Sequence, residues 1–240
     1  VTGRPQGLAN LRDVGGLPLV GGGVTADGVL YRADAPYPGD RAVPELAAWP
    51  PASILDLRGA RERVRFPFVW PAGTDSHHLP VHSAAAPDAQ PRDLPAVYLR
   101  MLDGADAWAP ALLDHVTRPA GPVLLHCTAG KDRTGVAVAV LLLAAGVRSD
   151  AVVADYVRSD ETLPALHDRW LSVGVRTAQS PPLPEEYMRA PAAAIEPIVE
   201  RLTESRGGAA QWVLERGVDR AVLERWQARL TARDQGRSAE

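Results

Sequence analysis

One stretch of this 240-residue chain, His126-Cys127-Thr128-Ala129-Gly130-Lys131-Asp132-Arg133-Thr134-Gly135, concentrates the side chains with chemical reach. Cys127 is the single cysteine, and Lys131 is the single lysine in a total of 26 lysines and arginines. A thiol, two cations and a glycine turn just ahead of an apolar helical run describe an anion site. The first N–H groups of a helix have no partner within it, and the helix dipole adds partial positive charge there. The backbone N–H groups of Thr128, Ala129, Gly130, Lys131, Asp132 and Arg133 can converge on the oxygens of a phosphoryl group. Gly130 permits a turn that a Cβ would crowd. The planar fork of Arg133 can hold two oxygens at once. Thiols at helix starts among cations ionise more readily than free cysteine, which suits Cys127 to attack phosphorus and form a phosphocysteine. Thr134 is placed to hydrogen-bond the sulfur, Lys131 to bring a second cation to the mouth of the site, and His126 to order the loop.

Bulk properties narrow the classes. A hydrophobic share of 46% and a charged share of 23% suit a globular chain with a real core. A net charge of −3 gives no reason to expect nucleic acid or a membrane surface as partner. The longest apolar run, Val136–Val147, falls short of the roughly 18 residues of a membrane span. Val1–Pro5 lacks the apolar core of a secretory signal. One cysteine cannot close an internal disulfide, so a reducing, cytoplasmic setting is the expectation. No cofactor and no metal is called for, and oligomeric state is not legible.

Elements must hold the loop in place. Val123–His126 is short, apolar and bounded by turn signals, which predicts a buried strand feeding the loop. Arg133–Ala145 predicts a helix, with Gly146 as its cap. Strands are also predicted at Val29–Ala33, Ser53–Leu57 and His77–Val81. Helices are predicted at Arg41–Trp49, Leu94–Leu102, Trp108–Thr117, Asp150–Arg158, Glu161–Val173, Pro191–Glu204 and Asp219–Ala232. Ser83–Pro95 reads as a loop, Gln179–Pro184 as a Pro-rich break and 233–240 as a frayed tail. Strands and helices interleave early and helices dominate late, so the fold class is α/β, a central mostly parallel sheet flanked by helices, with extra C-terminal helices. Residues 1–240 are read as one domain, with 159–190 as either a lid over the site or a packed helical appendage.

The decapeptide resembles the Cys-x5-Arg protein phosphatases, and its Lys131-Asp132 variant resembles the bacterial tyrosine/lipid phosphatases of dual or triple specificity. Asn10-Leu11-Arg12-Asp13-Val14-Gly15-Gly16, Leu30-Tyr31-Arg32-Ala33-Asp34 and Asp56-Leu57-Arg58 with nearby Glu62 resemble further segments of that family. The resemblance covers most of residues 8–160 and implies a protein tyrosine phosphatase-like fold. It also implies a metal-independent phosphomonoesterase, with Asp132 as the acid that protonates the leaving oxygen. A carboxylate beside a bound dianion keeps its proton more readily, which suits that task. Asp56 is the competitor, since active sites of open sheets gather at strand ends; it is alternatively an anchor for Arg133. Asp75 and Asp88 are weaker candidates.

The substrate follows as a phosphoprotein, a phosphoinositide or a small phosphate ester. A phosphorylated biosynthetic metabolite and a catalytically silent phosphate-binding module are the competing readings. Arg12-Asp13 taken alone also reads as a surface ion pair of little consequence. His77, His78 and His82 resemble a metal cluster at first sight. Alternation along a strand sends adjacent residues to opposite faces, and no carboxylate pattern was seen to support them, so they are read as structural.

Overall fold

The computed structural model describes residues 7–38, 40, 46, 48–81, 93–177 and 179–231. Among them five strands form one sheet: β1 (Arg12–Asp13), β2 (Leu30–Ala33), β3 (Ser53–Asp56), β4 (Asp75–His78) and β5 (Val123–His126). The order across the sheet is β1-β2-β5-β3-β4. Only the β1–β2 pair is antiparallel. The expected mostly parallel sheet flanked by helices is therefore present, with β5 at its centre.

The sequence of β5 explains that place. Val-Leu-Leu-His is apolar on both faces until its last residue, as a strand covered on both sides must be. Val123 and Leu125 join the main core, whereas Leu124 joins Tyr31, Ala33 and Ile54 on the opposite face. The helices are α1 (Ala60–Arg65), α2 (Leu94–Asp103), α3 (Ala109–Thr117), α4 (Asp132–Ala144), α5 (Ser149–Val157), α6 (Ser159–Ser172), α7 (Ala192–Glu204), α8 (Gly208–Glu215) and α9 (Arg220–Thr231).

Helix α4 is buried throughout from Thr134 to Ala144 and packs against α2, α7 and α8, so it is the axis of the helical layer. It ends at Gly146, whose φ of 85° lets its N–H reach Leu143 O and lets the Val147 N–H reach Leu142 O. Trp226 of α9 buries its ring here and donates its indole N–H to Leu141 O at 2.8 Å. Leu202, Leu223 and Leu230 are buried with it. On the second sheet face, among the described residues, Leu8, Leu11, Leu46, Trp49 and Trp70 pack against Tyr31, Ala33, Ile54 and Leu124.

Some elements depart from the sequence reading. Strand β4 starts two residues earlier than expected and ends at His78, although the Leu79 and Val81 N–H groups still reach Asp56 O and Leu57 O at 3.0 and 3.3 Å. Helix α1 has no buried residue and so no apolar period to find. It is held instead by Glu62, whose carboxylate accepts the Gly59 N–H at 2.8 Å. Helix α8 starts at Gly208 and is not among the expected helices; burial of Ala209, Trp212 and Val213 holds it in place. Most of the expected helix at 41–49 lies outside the described residues. So do most of the Ser83–Pro95 loop, the 233–240 tail, His82 and Asp88.

Candidate active site

Cys127 sits directly after the central strand, 1% exposed, between the C-terminal ends of β2 and β3. The loop Cys127–Lys131 then turns into α4. Gly130 has a φ of 67°, and a Cβ there would lie 2.4 Å from both the carbonyl carbon and oxygen of Ala33. The loop thus rests on the end of β2 at a distance that only glycine allows.

Side chains from the N-terminal segment hold the loop's carbonyls. Asn10 Nδ2 donates to Ala129 O at 3.0 Å, and Arg32 Nη2 donates to Gly130 O at 2.8 Å. Arg32 and Arg12 are anchored in turn by the buried Asp155 of α5, at 2.5 and 2.8 Å. Burial pushes Asp155 up, but the two guanidinium groups outweigh it and hold its pKa below the usual carboxylate range. Arg12 is buried and paired across the fold, so it is not a surface partner of Asp13. Asp13 accepts the N–H groups of Gly15 and Gly28 instead. The first N–H groups of α4, which follows this loop, have no partner within the helix.

Arg133 is held by Glu62 in a bidentate pair, Nη1 to Oε2 at 2.5 Å and Nη2 to Oε1 at 2.8 Å. Glu62 also accepts the hydroxyl of Thr128 at 2.5 Å. Burial favours the neutral acid, yet these partners hold Glu62 at about 2. For Arg133, burial lowers the pKa, but Glu62 and the nearby Cys127 more than offset it, so the guanidinium stays charged. Glu62 thus takes the anchoring place considered for Asp56. Asp56 bonds Arg58 through Nε and Nη2 and pairs with Arg63 at 3.3 Å. Burial raises its pKa, the Arg58 pair overcomes that, and it settles at about 2. Such a carboxylate is ionised at neutral pH and has no proton to give.

Asp132 opens α4. Its Oδ1 accepts the Tyr98 hydroxyl at 2.5 Å, and Tyr98 meets the Tyr156 hydroxyl at 2.8 Å. Lys131 is fully buried. Its ammonium donates to Tyr187 O at 3.1 Å and Arg189 O at 2.8 Å, and lies 3.3 Å from Asp132 Oδ1. It is a tether between the loop and residues 187–189 as well as a cation beside Asp132. Thr134 is buried, and among the described residues its hydroxyl has no hydrogen-bond partner, so the expected bond to the Cys127 sulfur is not formed. His126 is buried, which lowers its pKa to about 4 and leaves it neutral.

Helix α6 closes over this end of the sheet. Leu163, Leu166 and Trp170 pack on Ala35, Tyr37 and Ala129 of the loop. Its Arg169 is buried against Asp34 at 3.0 Å and Asp40 at 2.5 Å. Asp75 lies at the other end of the strands, bonded to His77.

Sequence reasoning assigned no role to Glu62, Tyr98 or Asn10. Asn10 and Glu62 stand in the segments that resemble the family; Tyr98 carries no signal beyond its place in a helical pattern. The loop joins a buried thiol to the N-terminus of α4 and to a guanidinium fixed by Glu62, and helix N-termini attract anions. It can bind a tetrahedral oxyanion and attack its central atom.

The sequence profile of the tyrosine phosphatase family matches residues 4–232. A triple specificity protein phosphatase, PtpB, of Mycobacterium tuberculosis is 34% identical over 48% of this chain, and the chain spans 55% of that protein. A Cupriavidus necator protein named for tyrosine-protein phosphatase activity is 29% identical, covering 79% of this chain and 77% of its own length. A tyrosine-protein phosphatase of Nostoc commune is 26% identical over 75% of this chain and 62% of its own.

Proposed function

The chain belongs to the tyrosine phosphatase family, and from that premise we propose that it hydrolyses phosphomonoesters, phosphotyrosine foremost, through a phosphocysteine on Cys127. The observation that carries the proposal is the joint placement of Cys127, Gly130 and Arg133 at the end of the central strand, with Glu62 orienting the guanidinium.

The phosphoryl oxygens take the N–H groups of Thr128 to Arg133 and the fork of Arg133. The Cys127 sulfur attacks phosphorus in line, an S–P bond forms and the P–O bond to the leaving group breaks. Asp132 gives its proton to the departing oxygen. In the second step Asp132, now a carboxylate, takes a proton from water as that water attacks phosphorus. The S–P bond breaks, inorganic phosphate leaves, and the Cys127 thiolate is restored. Tyr98 holds Asp132 in position through both steps. Asp56, paired and ionised, serves the fold of the β3 end rather than the proton transfer.

A phosphoinositide is the less favoured substrate, because the Lys131 ammonium that would meet a second phosphate is tied to two backbone carbonyls. The test is single-turnover and steady-state kinetics on phosphotyrosine peptides, inositol phospholipids and metabolite phosphates. Cys127→Ser should abolish turnover while still binding a phosphotyrosine peptide. Full activity in that variant removes the covalent step. A kcat/KM that favours a lipid or a metabolite moves the substrate assignment and leaves the mechanism standing.

A further inference from the structure

We propose that Asp75, His77 and His115 form a binding site for a divalent transition-metal ion of the zinc type, clamping the edge strand β4 to helix α3. Asp75 and His77 stand two apart on β4 and so share a face. His115 reaches them from late in α3. One ligand atom from each can be chosen so that all lie within 4.8 Å of one another. The Asp75 and His77 side chains already meet at 2.6 Å, and the two imidazoles pack edge to face at 4.5 Å between centroids. In a tetrahedral zinc site with bonds of about 2.0–2.1 Å, ligand atoms stand about 3.4 Å apart. Asp75 and His77 are both substantially exposed, which leaves their side chains room to rotate towards that spacing.

The third ligand is preset. His115 is buried, and its Nε2 lies 2.7 Å from the Ser53 hydroxyl, which also approaches Asp75. Such outer contacts orient metal-bound imidazoles. Asp114 and Arg118 border the same surface cleft but pair with each other, so they add little net charge. Two imidazoles and one carboxylate suit zinc-like ions rather than magnesium or calcium.

The site is remote from the chemistry. Ser53 pairs with Val123 at the start of the strands, and Cys127 lies four residues further on, about 13 Å along the strand direction. A bound ion would therefore act on stability. Among the described residues β4 pairs in the sheet only with β3, and a metal joining it to α3 staples that edge.

The test uses the metal-free full chain carrying Cys127→Ser, which removes the thiol as a rival ligand. Calorimetry with Zn²⁺ and visible absorption with Co²⁺ read binding, and thermal unfolding reads the clamp. The proposal expects one saturable equivalent, tetrahedral Co²⁺ bands and a raised Tm. His77→Ala and the near-isosteric Asp75→Asn should each weaken binding by about tenfold or more and abolish the Tm rise. Both positions are exposed, and circular dichroism checks that the variants keep the fold. No saturable uptake by the parent chain, or undiminished affinity in both variants, overturns the proposal.

Discussion

Two carboxylates on neighbouring elements divide the work around Arg133, and their partners decide how. Glu62 spends both oxygens on the guanidinium, so its value is orientation. Replacing it by Gln keeps shape but loses the charge, and the freed Arg133 no longer points at one place. Glu62→Gln should lower kcat/KM for an aryl phosphate by about a hundredfold, read in steady-state assays; an unchanged value would show that Arg133 is positioned without it. Asp132 and Asp56 can be separated by leaving group. An alkyl phosphate needs a proton donor far more than a nitrophenyl phosphate does. Asp132→Asn should cost about 10²–10⁴ in kcat on alkyl substrates and much less on nitrophenyl phosphate. Asp56→Asn should show no such contrast, because its carboxylate is held ionised by Arg58. A leaving-group effect confined to Asp56→Asn would reverse the assignment.

The loop is only as well formed as the elements that press on it. Strand β2 meets Gly130 so closely that an added methyl collides with Ala33 backbone. Gly130→Ala should therefore lose phosphate binding, measured by protection against thermal unfolding, and not merely turnover. The link from β1 and β2 to α5 runs through Asp155, which holds Arg12 and Arg32. Removing one partner of a buried pair leaves charge without compensation. Asp155→Asn should cost about 3–5 kcal/mol in urea unfolding. Activity should fall with it, because Arg32 is what fixes Gly130 O. A loss under about 1 kcal/mol would mean that water reaches the two guanidiniums. Helix α6 belongs to this scale too: its buried Arg169 and three apolar contacts fasten it to the site's rim.

The molecule as a whole should tolerate neutral pH better than mild acid. His115 and His126 are buried and neutral, each with its pKa lowered to about 4 by burial first of all. Between pH 6.5 and 4 the unfolded chain binds protons that the folded chain refuses, so stability falls as pH falls. The fully buried His126 contributes on the order of 3 kcal/mol across that window, and the less deeply buried His115 adds a smaller, solvent-screened share. Asp34 opposes them: burial lifts it to about 6 despite Arg169, so folding is eased as it protonates between pH 6 and 4. Two histidines outweigh one carboxylate, and the net slope is downward. Below pH 4, Asp56 and Glu62 add a second loss as they protonate towards about 2. Urea midpoints from pH 8 to pH 3 should show a plateau above 6.5 and a decline beneath it. A midpoint that holds or rises between pH 6.5 and 4.5 would sink the neutral-imidazole account.

Local features were legible in the chain alone because they are written in contiguous residues. The Cys127–Arg133 spacing, the glycine of the turn, the apolar strand ahead of it and the helix behind it are all nearest-neighbour facts. The α/β class followed from their alternation. Tertiary structure alone decided which charges meet. Glu62 and Arg133 are 71 positions apart, and Arg12 and Asp155 are 143 apart. His115 meets Asp75 and His77 from another layer, whereas the sequence alone reads His77, His78 and His82 as structural. Ion pairs and ligand sets depend on three-dimensional distance, and no period or propensity along the chain encodes which side chains the folded sheet will bring within a few ångströms.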